Sequence, residues 1–302
     1  MNLSKLLQGV VVTKMFQTMF GKMVVTHEVE VRTVQYDSRK VERGDLFVAI
    51  RGTQSDGHTF ISSAIANGAK VVVMENDQAM PDSYFMHAGV IKVVVSDTRV
   101  ALAQLSATYY GQPSGRLSVV GVTGTNGKTT TTQLIASIVE HQGNKAGLIG
   151  TIEYRIGNDV IPSTHTTPES LELNALLSRM AEAGCSSAVM EVSSHSLHQH
   201  RVRGIAFSVG VFTNLTQDHL DYHGTMDAYF DAKSVLFRSL GEEAWAVINT
   251  DDAYGRKLRT MTRARVLSFG TTDAADLRAE DVALSMRGTT CRILHGGESV
   301  AL

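Results

Sequence analysis

Leu117-Ser118-Val119-Val120-Gly121-Val122-Thr123-Gly124-Thr125-Asn126-Gly127-Lys128-Thr129-Thr130 passes from an apolar run into a glycine-rich loop and then a lysine followed by threonines. The run Leu117 to Val122 predicts a strand, and Lys128 to Gln142, stopped by Gly143, predicts a helix. A strand feeding a small-residue loop that opens a helix is built for polyphosphate. Small residues let backbone N–H groups curl around the anion, and the helix aims its positive end at it. Gly124, Thr125, Asn126, Gly127, Lys128, Thr129 and Thr130 are therefore the expected polyphosphate contacts, with Lys128 as a point charge and Thr129 placed to put a hydroxyl on Mg²⁺. The strict phosphate-loop pattern needs glycine five residues before Gly127, where Val122 stands, so this loop is a shorter form.

Working outward, Val31 to Tyr110 alternates strand and helix: Asp45 to Ile50, a helix from His58 to Asn67, Ala69 to Met74, Val90 to Val95, and a helix from Thr98 to Tyr110. Gln112-Pro113-Ser114-Gly115-Arg116 reads as a linker. Residues 1–112 and 117–302 are thus the expected domains. Beyond the loop helix, strands at Ala146 to Ile149, Ser187 to Val192, Ile205 to Thr213 and Ala244 to Asn249 alternate with helices from Thr167 to Gly184 and Met226 to Leu240. This predicts an α/β protein whose second domain is a doubly wound, mainly parallel sheet, with ligands at the C-terminal strand ends. From Asp276 the pattern changes to short strands with glycine turns.

With 302 residues, 43% hydrophobic and 19% charged, both domains can bury a core. A formal net charge of −2 gives no global attraction to nucleic acid or anionic membrane, so a polyanion must be bound locally. Cys185 and Cys291 offer no disulfide framework or thiolate metal site, which suits a reducing cytoplasm. The apolar patch Leu6 to Val12 is interrupted by Lys14 with no cleavage site after it, and no run approaches the ~20 apolar residues of a membrane span, so neither signal peptide nor membrane segment is expected.

A second constellation follows two later strands. Glu191 ends Ala188-Val189-Met190-Glu191-Val192, where a carboxylate is placed as a magnesium ligand or as a partner of one; its bland alternative is a strand-end acid capping a helix. Asn214-Leu215-Thr216-Gln217-Asp218-His219-Leu220-Asp221-Tyr222-His223-Gly224 follows the next strand, and five of eleven histidines fall between 195 and 223. Zinc on His219 and His223 lacks both the intervening glutamate and a third ligand of fitting spacing, which favours a phosphate-facing loop with one histidine reaching the cation. Lys233 shares a helix face with Tyr229, Phe230 and Phe237. By itself it reads as a surface lysine, but among aromatics its amine can be desolvated and reactive toward CO₂.

Gly-Thr-Asn-Gly-Lys-Thr-Thr at 124–130 closely resembles the ATP loop of the Mur ligase family and its folylpolyglutamate synthetase relatives. The motif order over residues 33 to 270 is similar to the branch of that family that adds meso-diaminopimelate or L-lysine to UDP-N-acetylmuramoyl-L-alanyl-D-glutamate. Tyr36-Asp37-Ser38-Arg39 and Gly44-Asp45-Leu46-Phe47-Val48-Ala49 resemble its uridine-binding domain, which implies contacts from Ser38, Thr53, Gln54 and Ser55. His165-Thr166-Thr167-Pro168, Glu191-Val192-Ser193-Ser194-His195 and Gln199-His200-Arg201 resemble its substrate and metal stretches, implying substrate contacts from Thr166, Thr167, Ser193, Gln199 and Arg201. Asn249 resembles its adenine-side contact, and Lys233 its carbamylated lysine.

The resemblance implies an ATP-dependent amide ligase of peptidoglycan precursor synthesis, working through an acyl phosphate as a cytoplasmic monomer. Lys128, Lys233 and His219 would be catalytic. Thr129, Glu191, His219 and Lys233, as its CO₂-derived carbamate, would hold two Mg²⁺. Its partners would be small molecules, with no nucleic acid or membrane. Family members continue into a C-terminal domain carrying an Asp-Asn-Pro-Arg signature in diaminopimelate enzymes; this sequence stops short of it, so diaminopimelate and lysine both stay open. A folylpolyglutamate synthetase-like ligase and a nucleotide-binding fragment without ligase activity are the remaining alternatives.

Overall fold

A computed structural model of the chain describes residues 1–52, 55–286 and 288–302. The chain divides into two compact units, one of residues Met1–Pro113, Pro168–Ser178 and Gln199–Ile205, the other of Ser114–Thr167, Arg179–His198 and Ala206–Leu302.

In the first unit, Val71–Met74 and Ile91–Val95 are nearly unbroken apolar runs, as strands covered on both faces require. The sheet runs Val12–Phe16, Ile91–Val95, Val71–Met74, Leu46–Val48, Val34–Gln35, with only the first pair antiparallel. Side chains alternate between faces. Val71, Val73, Ile91 and Val93 pack with Leu102 and Leu105, while Val72, Met74 and Val94 pack with Phe47, Ile61 and Phe85. The expected strand from Asp45 is shorter, Leu46–Val48, because the Asp45 carboxylate accepts from Arg32 Nε at 2.9 Å and Nη2 at 3.0 Å and is buried as a structural anchor. The expected helix at His58 begins as a 3-10 turn, Gly57–Phe60, and becomes α-helical only over Ile61–Ala66. His58 causes this: Nδ1 lies 2.6 Å from Asp56 Oδ1, and Nε2 accepts from the N–H groups of Glu75 and Asn76. The edge strand Val12–Phe16 was not expected, since Thr13 and Lys14 break its apolar pattern on the exposed face.

Among the described residues of the second unit, eleven strands form one sheet. Ala146–Ile149, Ser187–Glu191, Ser118–Thr123, Phe207–Phe212, Trp245–Asn249 and Arg265–Gly270 lie side by side and parallel, which is the expected doubly wound core. An antiparallel hairpin, Glu153–Ile156 with Asp159–Pro162, extends one edge, and the meander Leu277–Ser285, Gly288–His295, Glu298–Ala301 extends the other. The helix Lys128–His141 covers one face, with Ala136 packed in a cluster with Val120, Val122, Leu148 and Val189. Strand Ser118–Thr123 has the strand after it in register on each side, Glu191 opposite Val122 and Phe212 opposite Thr123. Three C-terminal strand ends therefore finish at one level, at the point where successive connections change direction. Among the described residues, no helix is long and apolar enough to cross a membrane.

Candidate functional site

The loop after Thr123 owes its shape to two glycines. Gly124 has φ +151°, and a Cβ there would sit 1.9 Å from Thr213 Oγ1; Gly127, at φ +85°, caps the helix Lys128–His141 in the left-handed region. Gly124→Ala is therefore expected to push the loop off Thr213 and to weaken ATP-analogue binding at least tenfold by calorimetry, with little change in secondary structure. Unchanged affinity would show that the close approach is not needed.

The loop is tied to the neighbouring strand end. Thr125 N donates to Asn214 O at 2.9 Å, Asn126 N to Asn214 Oδ1 at 3.0 Å, and Thr213 Oγ1 to Asn126 O at 2.6 Å. Asn249 Nδ2 donates to Thr213 O at 2.8 Å, so it braces that strand end. Lys128 Nζ is folded onto the loop, donating to Gly124 O and Thr125 O at 2.9 Å each. Burial lowers its pKa.

Beside the loop lies a cavity of about 370 Å³ with Lys128, Thr129, Thr166, Glu191, Ser193 and His219 among its lining residues. Glu191 is 1% exposed. Its Oε1 accepts from Thr129 Oγ1 and from Thr151 N, both at 2.9 Å, and its Oε2 from Thr151 Oγ1 at 3.2 Å. Thr167 Oγ1 donates to Glu191 O at 2.9 Å and accepts from Ser193 N at 3.2 Å, which locks the strand end in place. Clustered hydroxyl and carboxylate oxygens beside a phosphate-type loop match the oxygen preference of Mg²⁺, and the carboxylate is already oriented by hydrogen bonds.

Lys233 does not line that cavity. It is 1% exposed beneath the loop, its Nζ donating to Gly124 O at 2.9 Å and lying 4.7 Å from the Tyr229 ring centre. Two ammonium groups, Lys128 and Lys233, thus share one carbonyl. Burial first, and the Lys128 charge second, bring the Lys233 pKa down to about 7. His219 takes φ +52° at the start of the short helix Leu220–His223, and its ring stacks edge-on to His195 at 4.9 Å. His223 Nε2 lies 2.9 Å from Ser194 Oγ, and burial together with His195 and His198 lowers its pKa to about 4. Most of these rings order the turn; His219 reaches the cavity wall.

In the first unit, Ser38 and Ser55 line a separate cavity of about 610 Å³ with Tyr36, Arg39 and Phe60. Thr53 and Gln54 lie outside the described residues. Gln199 and Arg201 also belong to this unit. Arg201 Nη2 donates to Gln199 Oε1 at 2.7 Å, and Arg201 Nε lies 3.5 Å from Glu169 Oε2. Sequence reasoning missed Thr151, although it had a signal, since it follows a buried strand by two residues at the ligand edge; Tyr229, expected on the face of Lys233, lies one turn before it.

Residues 122–301 match the Mur ligase middle domain, and residues 30–110 match the catalytic domain of the Mur ligase family. The chain belongs to the Mur ligase family. Among relatives of this Mur ligase chain, the UDP-N-acetylmuramoyl-L-alanyl-D-glutamate--2,6-diaminopimelate ligase of Clostridium botulinum is 47% identical over 260 residues, covering 86% of this chain and 52% of the relative. The ligase of the same name from Halalkalibacterium halodurans is 42% identical over 292 residues, covering 95% of this chain and 58% of the relative. A solved structure of such a ligase superposes with a TM-score of 0.78 at 30% identity, over 97% of this chain and 59% of that one. MurF from Acinetobacter baumannii shares the fold, with a TM-score of 0.65 at 23% identity over 100% of this chain and 60% of that one. The chain spans about half the length of the curated relatives it matches.

Proposed function

We propose that this chain carries the ATP site and the UDP-muramoyl site of an ATP-dependent ligase. The reaction would join meso-diaminopimelate or L-lysine to the D-glutamyl γ-carboxylate of UDP-N-acetylmuramoyl-L-alanyl-D-glutamate in the cytoplasm. Residues 1–112 would take the UDP portion through Ser38, Thr53, Gln54 and Ser55, and residues 117–302 would take ATP. The observation that carries this reading is the Thr129–Glu191 pair, 2.9 Å apart on the cavity wall beside the phosphate-type loop.

A carboxylate is a poor electrophile, so one of its oxygens first attacks the γ-phosphorus of ATP. The bond to the β-phosphate oxygen breaks, and ADP leaves. The amine then attacks the acyl carbon of the acyl phosphate, the C–O bond breaks, phosphate departs, and the nitrogen loses its proton. The first step brings two anions together, so charge neutralisation and positioning are the main tasks. Lys128, moving from its loop carbonyls to the phosphates, supplies one positive charge. Loop N–H groups from Thr125 to Thr130 supply the fixed dipoles. Mg²⁺ held by Thr129, Glu191 and His219 would neutralise phosphate charge. Asn249 would lie on the adenine side. Thr166, Thr167, Ser193, Gln199 and Arg201 would hold the muramoyl peptide, with Arg201 released from Glu169 to take a substrate carboxylate.

Lys233 enters through its neutral amine. The nitrogen of the neutral amine would add to the carbon of CO₂ and lose one proton, leaving a carbamate anion whose oxygens would be able to hold a second Mg²⁺. Burial and the adjacent Lys128 charge support this, because both favour the neutral amine. The test is incubation of the 302-residue chain with ATP, Mg²⁺ and the UDP-dipeptide, adding each amino acid separately, with UDP-tripeptide read by mass. Product with one amino acid supports the ligase and names its third substrate. Folate-dependent turnover in place of UDP-dipeptide turnover overturns it.

A further inference from the structure

Glu191 reaches the cation site with little freedom of its own, and the residue that restrains it is Thr151, which none of the motifs above contains. Thr151 grips both oxygens of the carboxylate, its N–H on Oε1 at 2.9 Å and its hydroxyl on Oε2 at 3.2 Å. Glycine at 150 leaves room for the carboxylate, since a Cβ there would come within 2.6 Å of Oε1. Among the described residues, the Thr151 hydroxyl is the only side-chain group on Oε2, whereas Oε1 has the Thr129 hydroxyl as well.

A hydroxyl has one proton. Thr151 Oγ1 lies 3.1 Å from Thr166 Oγ1 and 3.2 Å from Glu191 Oε2. Both are acceptors for that proton, and the carboxylate is the stronger of the two, so Thr151 donates to Glu191 Oε2.

We propose that Thr151 is a positioning residue for the divalent cation, fixing the Glu191 carboxylate so that Oε1 stays beside the Thr129 hydroxyl. This rests on the reading of Thr129 and Glu191 as the Mg²⁺ ligands. Partners that orient a metal-ligating group typically account for about 10- to 100-fold in metal affinity. Thr151 is itself exposed, so removing its hydroxyl leaves the core intact.

The experiment measures Mn²⁺ binding by electron paramagnetic resonance in protein saturated with a non-hydrolysable ATP analogue. It compares the parent chain with Thr151→Val, which keeps the N–H and loses the hydroxyl, and Thr151→Ser, which keeps both. Analogue binding in EDTA is measured alongside. The expected result is a rise of about tenfold or more in half-saturating Mn²⁺ for Thr151→Val, parent-like behaviour for Thr151→Ser, and unchanged metal-free nucleotide affinity in both. Parent-like Mn²⁺ binding by Thr151→Val overturns the assignment of Thr151 and leaves the ATP site standing. Equal losses in Thr151→Val and Thr151→Ser also overturn it, since the hydroxyl would then not be the active element. Failure of the parent chain to bind the analogue with Mn²⁺ overturns the underlying ATP-site reading, and the inference with it.

Discussion

Lys128→Met should weaken binding of a non-hydrolysable ATP analogue by about 10²-fold or more, measured by calorimetry in the presence of Mg²⁺. The side chain has nearly the same length, so what is lost is a partly desolvated positive charge at a polyphosphate; truncating one partner of such a pair costs about 2–5 kcal/mol, and each 1.4 kcal/mol is about a factor of ten. Thr129, Glu191 and the loop N–H groups remain, so some binding should survive at high concentration. A second consequence is specific to this arrangement. Lys128 and Lys233 both donate to Gly124 O, and the Lys128 charge is one cause of the low pKa of Lys233. Removing it should raise the Lys233 pKa above about 7. Parent-like affinity in Lys128→Met would remove Lys128 from the phosphate site.

Lys233→Arg should lower UDP-tripeptide formation by about 10³-fold while leaving ATP-analogue binding within a few-fold of the parent. Arginine keeps the cation and much of the packing beside Tyr229 but has no amine to carry CO₂. The pH dependence follows from the same group. A folded pKa near 7, below the ordinary lysine value of 10.5, makes the neutral amine a minority species at pH 6 and the major species at pH 8. Uptake of ¹³CO₂ at fixed dissolved CO₂, followed by carbon NMR, should therefore rise with pH through about 7 in the parent and be absent in Lys233→Arg. The sign is the reverse of that for a lysine stabilised by an acid partner, which stays charged throughout this range. Full turnover in Lys233→Arg would rule out the carbamate.

Much of this was legible in the sequence because the governing signals are local. The run Leu117 to Val122, the glycines at 124 and 127, and the helix from Lys128 specify a loop whose geometry needs no distant information. Glu191 was legible for a similar reason, as an acid at the end of an apolar strand; the parallel register that sets it opposite Val122 places it next to that loop. The grip of Thr151 on Glu191 was not legible, because it joins residues forty apart and depends on two strands being neighbours in the sheet. Lys233 was legible as a lysine among aromatics, but its donation to Gly124 O spans 109 residues and needs the helix Met226–Arg238 laid under the loop. The early start expected for the helix at His58 failed because a buried histidine, bonded at both ring nitrogens, outweighs helical periodicity. The hairpin Glu153–Ile156 with Asp159–Pro162 was missed since its second strand is largely exposed and has little apolar alternation.

Transfer of the γ-phosphoryl group of ATP to a carboxylate at this site would leave an acyl phosphate that can be trapped. This transfer is tested most directly by incubating the chain with ATP, Mg²⁺ and UDP-N-acetylmuramoyl-L-alanyl-D-glutamate without any amino acid, quenching with borohydride, and analysing the nucleotide product by mass spectrometry. An acyl phosphate is reduced to the alcohol, so the expected result is the D-glutamyl γ-carboxylate recovered as a hydroxymethyl group, ADP formed beside it, and neither product with Lys128→Met. Release of AMP and pyrophosphate, or an unreduced carboxylate under conditions where both ligands are bound, would contradict it.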